Sequence, residues 1–178
     1  MFLMPPKHQL QHDSVSMTAD NVFQAIVDKL QVEGLSFTVI EHEPVYTMEQ
    51  ACEVCGNSPE EGVKVLFARM YKSKKEYEYC LVVWTGNKPV DFKQIANLLE
   101  AKKIKLASPE EVKSNLGIEI GALSPFGYSG AYPVVFDSNL LQQEILFINA
   151  GVHNRTIKLA SKDLRLLMEQ SALSLQIV

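Results

Sequence analysis

Cysteine is scarce in this chain: Cys52, Cys55 and Cys80 are the only three among 178 residues. That number is too small and too odd for the disulfide framework of a secreted domain, and it points to a reducing compartment. No stretch approaches the roughly 20 consecutive apolar residues that a membrane helix needs. The apolar opening Met1-Phe2-Leu3-Met4 is stopped by Pro5-Pro6 before it reaches signal-peptide length. Residues 1–19 hold no arginine and do hold Asp13, against a mitochondrial address. Positive charge is not in surplus: 17 Lys and Arg face 21 Asp and Glu, a net charge of −4. Broad charge-driven binding to nucleic acid is therefore not expected, although contact with the end of an RNA remains open. DNA and membranes are not expected as partners, and the cytoplasm is the expected location.

Repeats, low-complexity runs and interdomain linkers are also missing. What is there is an ordinary globular profile, 47% hydrophobic and 21% charged, and long enough for one domain with a well-developed core. Residues 1–19 read as a disordered tail, with His8 and His12 inside it, and residues 20–178 as a single domain. Asp20 as N-cap, followed by Val22, Phe23, Ile26, Val27 and Leu30, predicts a helix closed by Gly34. Leu35–Ile40 alternates as a strand. Thr47-Met48-Glu49-Gln50 is a capping box for a helix ending at Gly56, and Ser58-Pro59-Glu60-Glu61 is a second helix start.

Val63–Tyr71 and Tyr77–Trp84, around the polar turn Lys72–Lys75, read as a hairpin. Asp91 opens a helix through Leu99 with Ile95, Leu98 and Leu99 on its buried side. A short strand near Ile104 and a helix from Ser108 to Gly117 follow. Strands are then expected at Tyr132–Phe136, Ile145–Asn149 and Thr156–Leu159, before a helix capped by Ser161 that carries Leu164, Leu167 and Met168. Strands joined by short turns and interleaved irregularly with helices favour an α+β domain with a mixed, largely antiparallel sheet. The first strand is not followed by the glycine-rich turn of a dinucleotide fold.

Four places carry candidate chemistry. Lys64 lies in Gly62-Val63-Lys64-Val65-Leu66-Phe67-Ala68, where both strand faces are otherwise apolar. It is either a functional cation beside the core or a lysine snorkelling at a sheet end. Gly121-Ala122-Leu123-Ser124-Pro125-Phe126-Gly127 is either a turn between strands or a stiff frame presenting main-chain groups to a ligand. Asn149-Ala150-Gly151-Val152-His153-Asn154 reads as a hairpin turn, and also places His153 between two amides that would orient it. Cys52-Glu53-Val54-Cys55 has the spacing of a redox pair or half a zinc site, but falls near a helix C-terminus with no second pair to complete a metal site. No metal and no cofactor are expected. Lys72, Lys74 and Lys75, with Lys102, Lys103 and Lys105, are the basic concentrations, read as solvated turns or, if they share the pocket's side, as contacts for RNA phosphates.

The order of these segments resembles the YbaK/aminoacyl-tRNA synthetase-associated domain family, the stand-alone relatives of the editing domain of prolyl-tRNA synthetase. The matching segments are Glu41–Thr47, Gly62–Leu66, Leu81–Val83, Val90–Lys93, Ala107–Val112, Gly121–Gly127, Asn149–Gly151 and Asp163-Leu164, spanning about residues 21–168. The resemblance implies a sheet curled into a barrel-like core with flanking helices. It also implies hydrolysis of the ester that joins a wrong, small amino acid (Ala, Cys, Ser or Thr) to the 3′ end of tRNA-Pro or a related tRNA. Lys64 matches the family's key side chain, Gly121–Pro125 the loop that holds the aminoacyl group, and Asn149–Gly151 a border of the same pocket. A histidine at the place of His153 occurs in related subgroups. Val65 stands where the family usually carries a hydroxyl or an amide. The expected partner is the aminoacyl-tRNA 3′ end, with a synthetase as a second candidate. The alternatives are a non-catalytic tRNA- or synthetase-binding module that keeps the pocket, and a thiol-redox protein using Cys52 and Cys55.

Overall fold

The computed structural model of the chain describes residues 18–178. The expected tail, with His8 and His12, lies outside the described residues apart from its last two positions. Thr18 caps the first helix, α1 (Ala19–Val32), by accepting from the Asn21 N–H at 3.3 Å, so the helix begins just before the expected Asp20. A short strand β1 (Phe37–Glu41) follows, then α2 (Met48–Cys55), capped by the Thr47 hydroxyl. The Ser58 start does not open a helix. Ser58 N–H donates to the Glu61 carboxylate at 2.9 Å, but the Glu61 carbonyl is taken by Phe147 N–H, and Gly62 turns the chain into a strand.

That strand, β2 (Val63–Tyr71), forms the expected hairpin with β3 (Tyr77–Thr85). After α3 (Phe92–Leu98), β4 (Lys103–Leu106) pairs antiparallel with the far end of β2. Ile95 is buried as expected and Leu99 partly so, but Leu98 is 46% exposed and Ala96 takes its place inside. Helix α4 (Pro109–Leu116) carries the full reciprocal cap between Ser108 and Glu111. The remaining elements are β5 (Pro133–Phe136), a 3₁₀ turn (Ser138–Gln142), β6 (Ile145–Asn149), β7 (Arg155–Ala160), α5 (Ser161–Ser171) and β8 (Ser174–Ile177). Ser161 is the first residue of α5 and provides no side-chain cap.

These strands build two sheets. One is antiparallel in the order β1-β7-β6; the other is mixed, β4-β2-β3-β5-β8, with parallel pairs only at β3-β5 and β5-β8. The larger core lies between the sheets and under α1, α4 and α5, and takes Val63, Val65 and Phe67 from one face of β2. Alternation sends Ala68 and Met70 from the other face into a smaller core beneath α3. Both faces of β2 are thus covered, as its doubly apolar pattern requires. The expected barrel-like curl does not close. Among the described residues the two sheets are joined by one isolated parallel bridge, Gly62 to Phe147. Pairing of β2 with β4 resumes only at Ala68, so the edge of β2 between these points has no ladder partner.

Candidate active site

The gap along β2 is a cavity of about 320 Å³. One wall is the open strand edge, Lys64 to Phe67; the facing walls are the start of α2 (Val45 to Met48), the β4–α4 junction (Leu106, Ala107) and the loop residues Gly121 and Leu123, with Asn149 at the end of β6. The main-chain orientation follows from two bonds. The Glu61 carbonyl accepts from Phe147 and the Phe67 carbonyl from Ala107, both at 2.9 Å, so alternation turns the N–H and C=O of Val65 toward the same open edge. The Val65 side chain packs in the larger core, on the strand face opposite Lys64.

Lys64 is half-buried at the mouth of this gap. Its Nζ donates to the Gly86 carbonyl at 3.4 Å and to the Lys88 carbonyl, both on the turn after β3. An ammonium has three N–H donors, so one is left for a ligand. Burial pushes the Lys64 pKa down, while the negative charge of Asp137 opposes that shift. Asp137 follows β5 and is itself buried. Burial would raise its pKa, but the bonds it accepts from Thr85 Oγ1 (2.6 Å), Asn139 N–H (3.0 Å), Asn139 Nδ2 (2.6 Å) and Thr85 N–H (3.2 Å) hold it below the ordinary carboxylate value. Asp137 is therefore a buried carboxylate fixed by its hydrogen bonds, and its charge favours the ammonium form of Lys64. Sequence reasoning missed it, although a carboxylate ending the apolar run Pro133-Val134-Val135-Phe136 was the signal.

The glycine-bearing loop divides its work. Gly121, at φ +91°, and Leu123 face the cavity. Ala122 and Ser124 are buried behind them. Pro125, Phe126 and Gly127 line a separate recess of about 40 Å³ with Tyr128 and Tyr132. Two glycines serve helix packing: a Cβ on Gly127 would lie 2.5 Å from Ile26 Cγ1, and one on Gly151 2.8 Å from Val22 Cγ1, both on α1.

His153 stands beside the cavity, behind Tyr46, with ring centroids 4.5 Å apart. Its Nδ1 lies 3.1 Å from the Val45 carbonyl and, because a carbonyl only accepts, donates to it, while Nε2 faces the Glu119 carboxylate at 3.5 Å. The structure thus brings Lys64, Gly121, Leu123 and Asn149 to one cavity, with His153 at its border. Cys52 and Cys55 are free thiols on α2, Cys52 buried. Among the described residues no three His, Cys, Asp or Glu side chains gather as a metal site, and no helix is long and apolar enough to cross a membrane.

A cavity at an open strand edge, with a lysine in its wall, has the character of a small-molecule site that offers main-chain groups and a cation. Residues 42–167 match the aminoacyl-tRNA editing domain, and the chain belongs to that family of aminoacyl-tRNA deacylases. It is 31% identical over 145 residues to the prolyl-tRNA editing protein ProX of Acetoanaerobium sticklandii, covering 79% of this chain and 87% of the relative. It is 30% identical over 142 residues to the multifunctional Ser/Thr-tRNA deacylase ProXp-y of Escherichia coli K12, covering 79% and 84%. A solved structure of a candidate trans-editing enzyme for prolyl-tRNA synthetase shares the fold, with a TM-score of 0.73, 22% identity and coverage of 88% and 94%.

Proposed function

We propose that the domain formed by residues 20–178 is a trans-acting deacylase that hydrolyses tRNA-Pro, or a related tRNA, mischarged with a small amino acid. The observation that carries this reading is the cavity itself, which Lys64, the open strand edge at Val65 and the loop at Gly121 line together. Its volume of about 320 Å³ is at the lower end for small-molecule sites, in keeping with a short side chain such as that of Ala, Cys, Ser or Thr. The similarity to a Ser/Thr-tRNA deacylase keeps the hydroxyl amino acids in that set.

An aminoacyl ester is labile, so positioning a water and stabilising the oxyanion are the main tasks. The water oxygen attacks the ester carbonyl carbon, and the carbonyl oxygen takes the negative charge, facing the free N–H of Lys64 and the N–H of Val65. The bond from that carbon to the ribose oxygen then breaks. The proton from water passes through the neighbouring ribose hydroxyl to the leaving oxygen, giving free amino acid and intact tRNA. Gly121 and Leu123 hold the aminoacyl group, with Asn149 at its edge; Ala122, Ser124, Pro125, Phe126 and Gly127 hold the loop in shape. His153 positions Tyr46 and the Val45 carbonyl at the cavity wall. The reaction belongs in the cytoplasm, where a synthetase supplies the mischarged tRNA.

The test is release of amino acid from a panel of Ala-, Cys-, Ser- and Thr-charged tRNA-Pro by the purified chain. Hydrolysis of at least one above the spontaneous rate is expected. Binding of tRNA without release from any would overturn the reading in favour of a non-catalytic module.

A further inference from the structure

The two basic segments of the chain, far apart in sequence, meet in the fold. In the β2–β4 ladder Tyr71 faces Lys103 and Arg69 faces Lys105, and Lys102 N–H donates to the Tyr71 carbonyl. Strand β4 therefore lies against the end of the hairpin whose turn carries Lys72, Lys74 and Lys75. The other end of β4 is the cavity: Leu106 forms part of its wall, directly after Lys105. A line of cations thus starts with Lys105, next in sequence to the cavity residue Leu106, passes Lys103 and reaches the hairpin turn. At about 3.3 Å per residue, β4 alone covers about 10 Å of that path.

Charge pairing separates these cations into two kinds. Arg69 is held by Glu111, and Lys72 by Glu78. Lys74, Lys75, Lys102, Lys103 and Lys105 are exposed and form no ion pair among the described residues, although the exposed Glu76 and Glu110 are near them in sequence. Aromatic rings lie among them: Lys103 Nζ sits 4.6 Å from the Tyr71 ring centroid, and Tyr77, 41% exposed, is 5.3 Å from Tyr71. Unpaired lysines beside the exposed Tyr77 and the half-buried Tyr71 suit a phosphate backbone with unstacked bases or a helix end. In a chain with a net charge of −4, such a local excess of positive charge on one sheet edge marks a direction of approach.

We infer that the β4 edge and the β2–β3 hairpin turn are the RNA-docking surface, with Lys103 and Lys105 contacting phosphates of the tRNA acceptor end as its terminal ribose enters the cavity. This rests on the deacylase reading. The test compares the wild type with Lys103→Glu/Lys105→Glu, and with Lys74→Glu/Lys75→Glu as a second exposed pair. Each is assayed on two substrates with the same amino acid: the full aminoacyl-tRNA and the aminoacyl ester of adenosine. Expected for Lys103→Glu/Lys105→Glu is a fall in kcat/KM of about tenfold on the tRNA near 0.15 M salt, carried by KM, with a shallower salt dependence. Hydrolysis of the adenosine ester should not change.

Equal kcat/KM on tRNA for the wild type and both variants overturns the inference, as does an equal loss on both substrates. If the wild type hydrolyses neither substrate, the deacylase reading fails by itself. The surface is then judged by fluorescence anisotropy with uncharged tRNA, where unchanged binding by both variants overturns it and weakened binding supports it.

Discussion

The hydroxyl of Tyr128 holds both main-chain groups of Ser124, accepting from its N–H at 2.8 Å and donating to its carbonyl at 2.6 Å. Burial pushes the Tyr128 pKa up, so the phenol stays neutral and serves both bonds. The loop between Gly121 and Gly127 is therefore pinned from behind, at a residue whose own polar groups are unavailable to a ligand. Tyr128→Phe leaves two buried main-chain groups without that partner. The expected loss of stability is about 1–3 kcal/mol, read from urea denaturation, together with a lower kcat/KM for deacylation. Unchanged stability would show that the loop does not depend on this anchor.

Gly127 lets α1 approach the loop, because a Cβ there would meet Ile26 Cγ1 at 2.5 Å. Gly127→Ala is expected to cost about 1–3 kcal/mol through displacement of α1. Gly34→Ala, where a Cβ meets nothing within 4 Å, is the control for backbone effects alone. Similar melting temperatures for the two variants would contradict the packing role given to Gly127.

Acid stability should report on Glu111. The Arg69 guanidinium bonded to it, against some opposition from burial, and with help from Ser108 N–H and the Tyr79 hydroxyl, holds its pKa down from 4.5 to about 2. A carboxyl with a depressed folded-state pKa contributes stability that is complete above its unfolded value and is lost as pH falls toward the folded one. The urea midpoint of the wild type should therefore fall between pH 4.5 and about 2, and Glu111→Gln should flatten that part of the profile while lowering stability near pH 7. Parallel profiles for the two proteins would show that Glu111 is not the group responsible.

Thiol chemistry is expected to be irrelevant to the reaction. Burial pushes the Cys52 thiol above its ordinary pKa, against a weak bond from Asn57 Nδ2 at 3.5 Å. Little thiolate is present at neutral pH to act as a nucleophile. Cys52→Ala and Cys55→Ala should each keep the wild-type deacylation rate, measured with and without a reducing agent. A rate that depends on either thiol would revive the redox alternative.

The parts of this fold legible in the sequence are those set by local chemistry. Ser108-Pro109-Glu110-Glu111 opens its helix as read, and does so with a full reciprocal cap. The hairpin of β2 with β3 follows from two apolar runs around a lysine-rich turn. Ser58-Pro59-Glu60-Glu61 has the same local signature, yet a tertiary bond from Phe147 to Glu61 turns it into a strand entry. Strand β8 alternates polar and apolar over only four residues, Ser174 to Ile177, a run too short to stand out after α5, and it pairs parallel with the edge of β5.

The site divides along the same line. Lys64 stands out as a cation in an apolar run, and Gly121 as a turn glycine. The contributions of Asp137, Val45 and Leu106 depend on contacts between distant segments, which spacing does not report. Proximity in the loop also misleads: Gly121 and Gly127 are six positions apart but face different spaces.

The most direct measurement is single-turnover hydrolysis of the preferred mischarged tRNA by Lys64→Ala, with tRNA saturating. Trp84, the only tryptophan and the residue directly opposite Lys64 in the β2–β3 ladder, reports through its emission whether the strand remains intact. Loss of a cation that stabilises the oxyanion should slow the chemical step by about 10²–10³-fold, with wild-type tryptophan emission and an unchanged affinity for uncharged tRNA. A rate within a few-fold of the wild type, in a variant with intact emission, would contradict the central role given to Lys64.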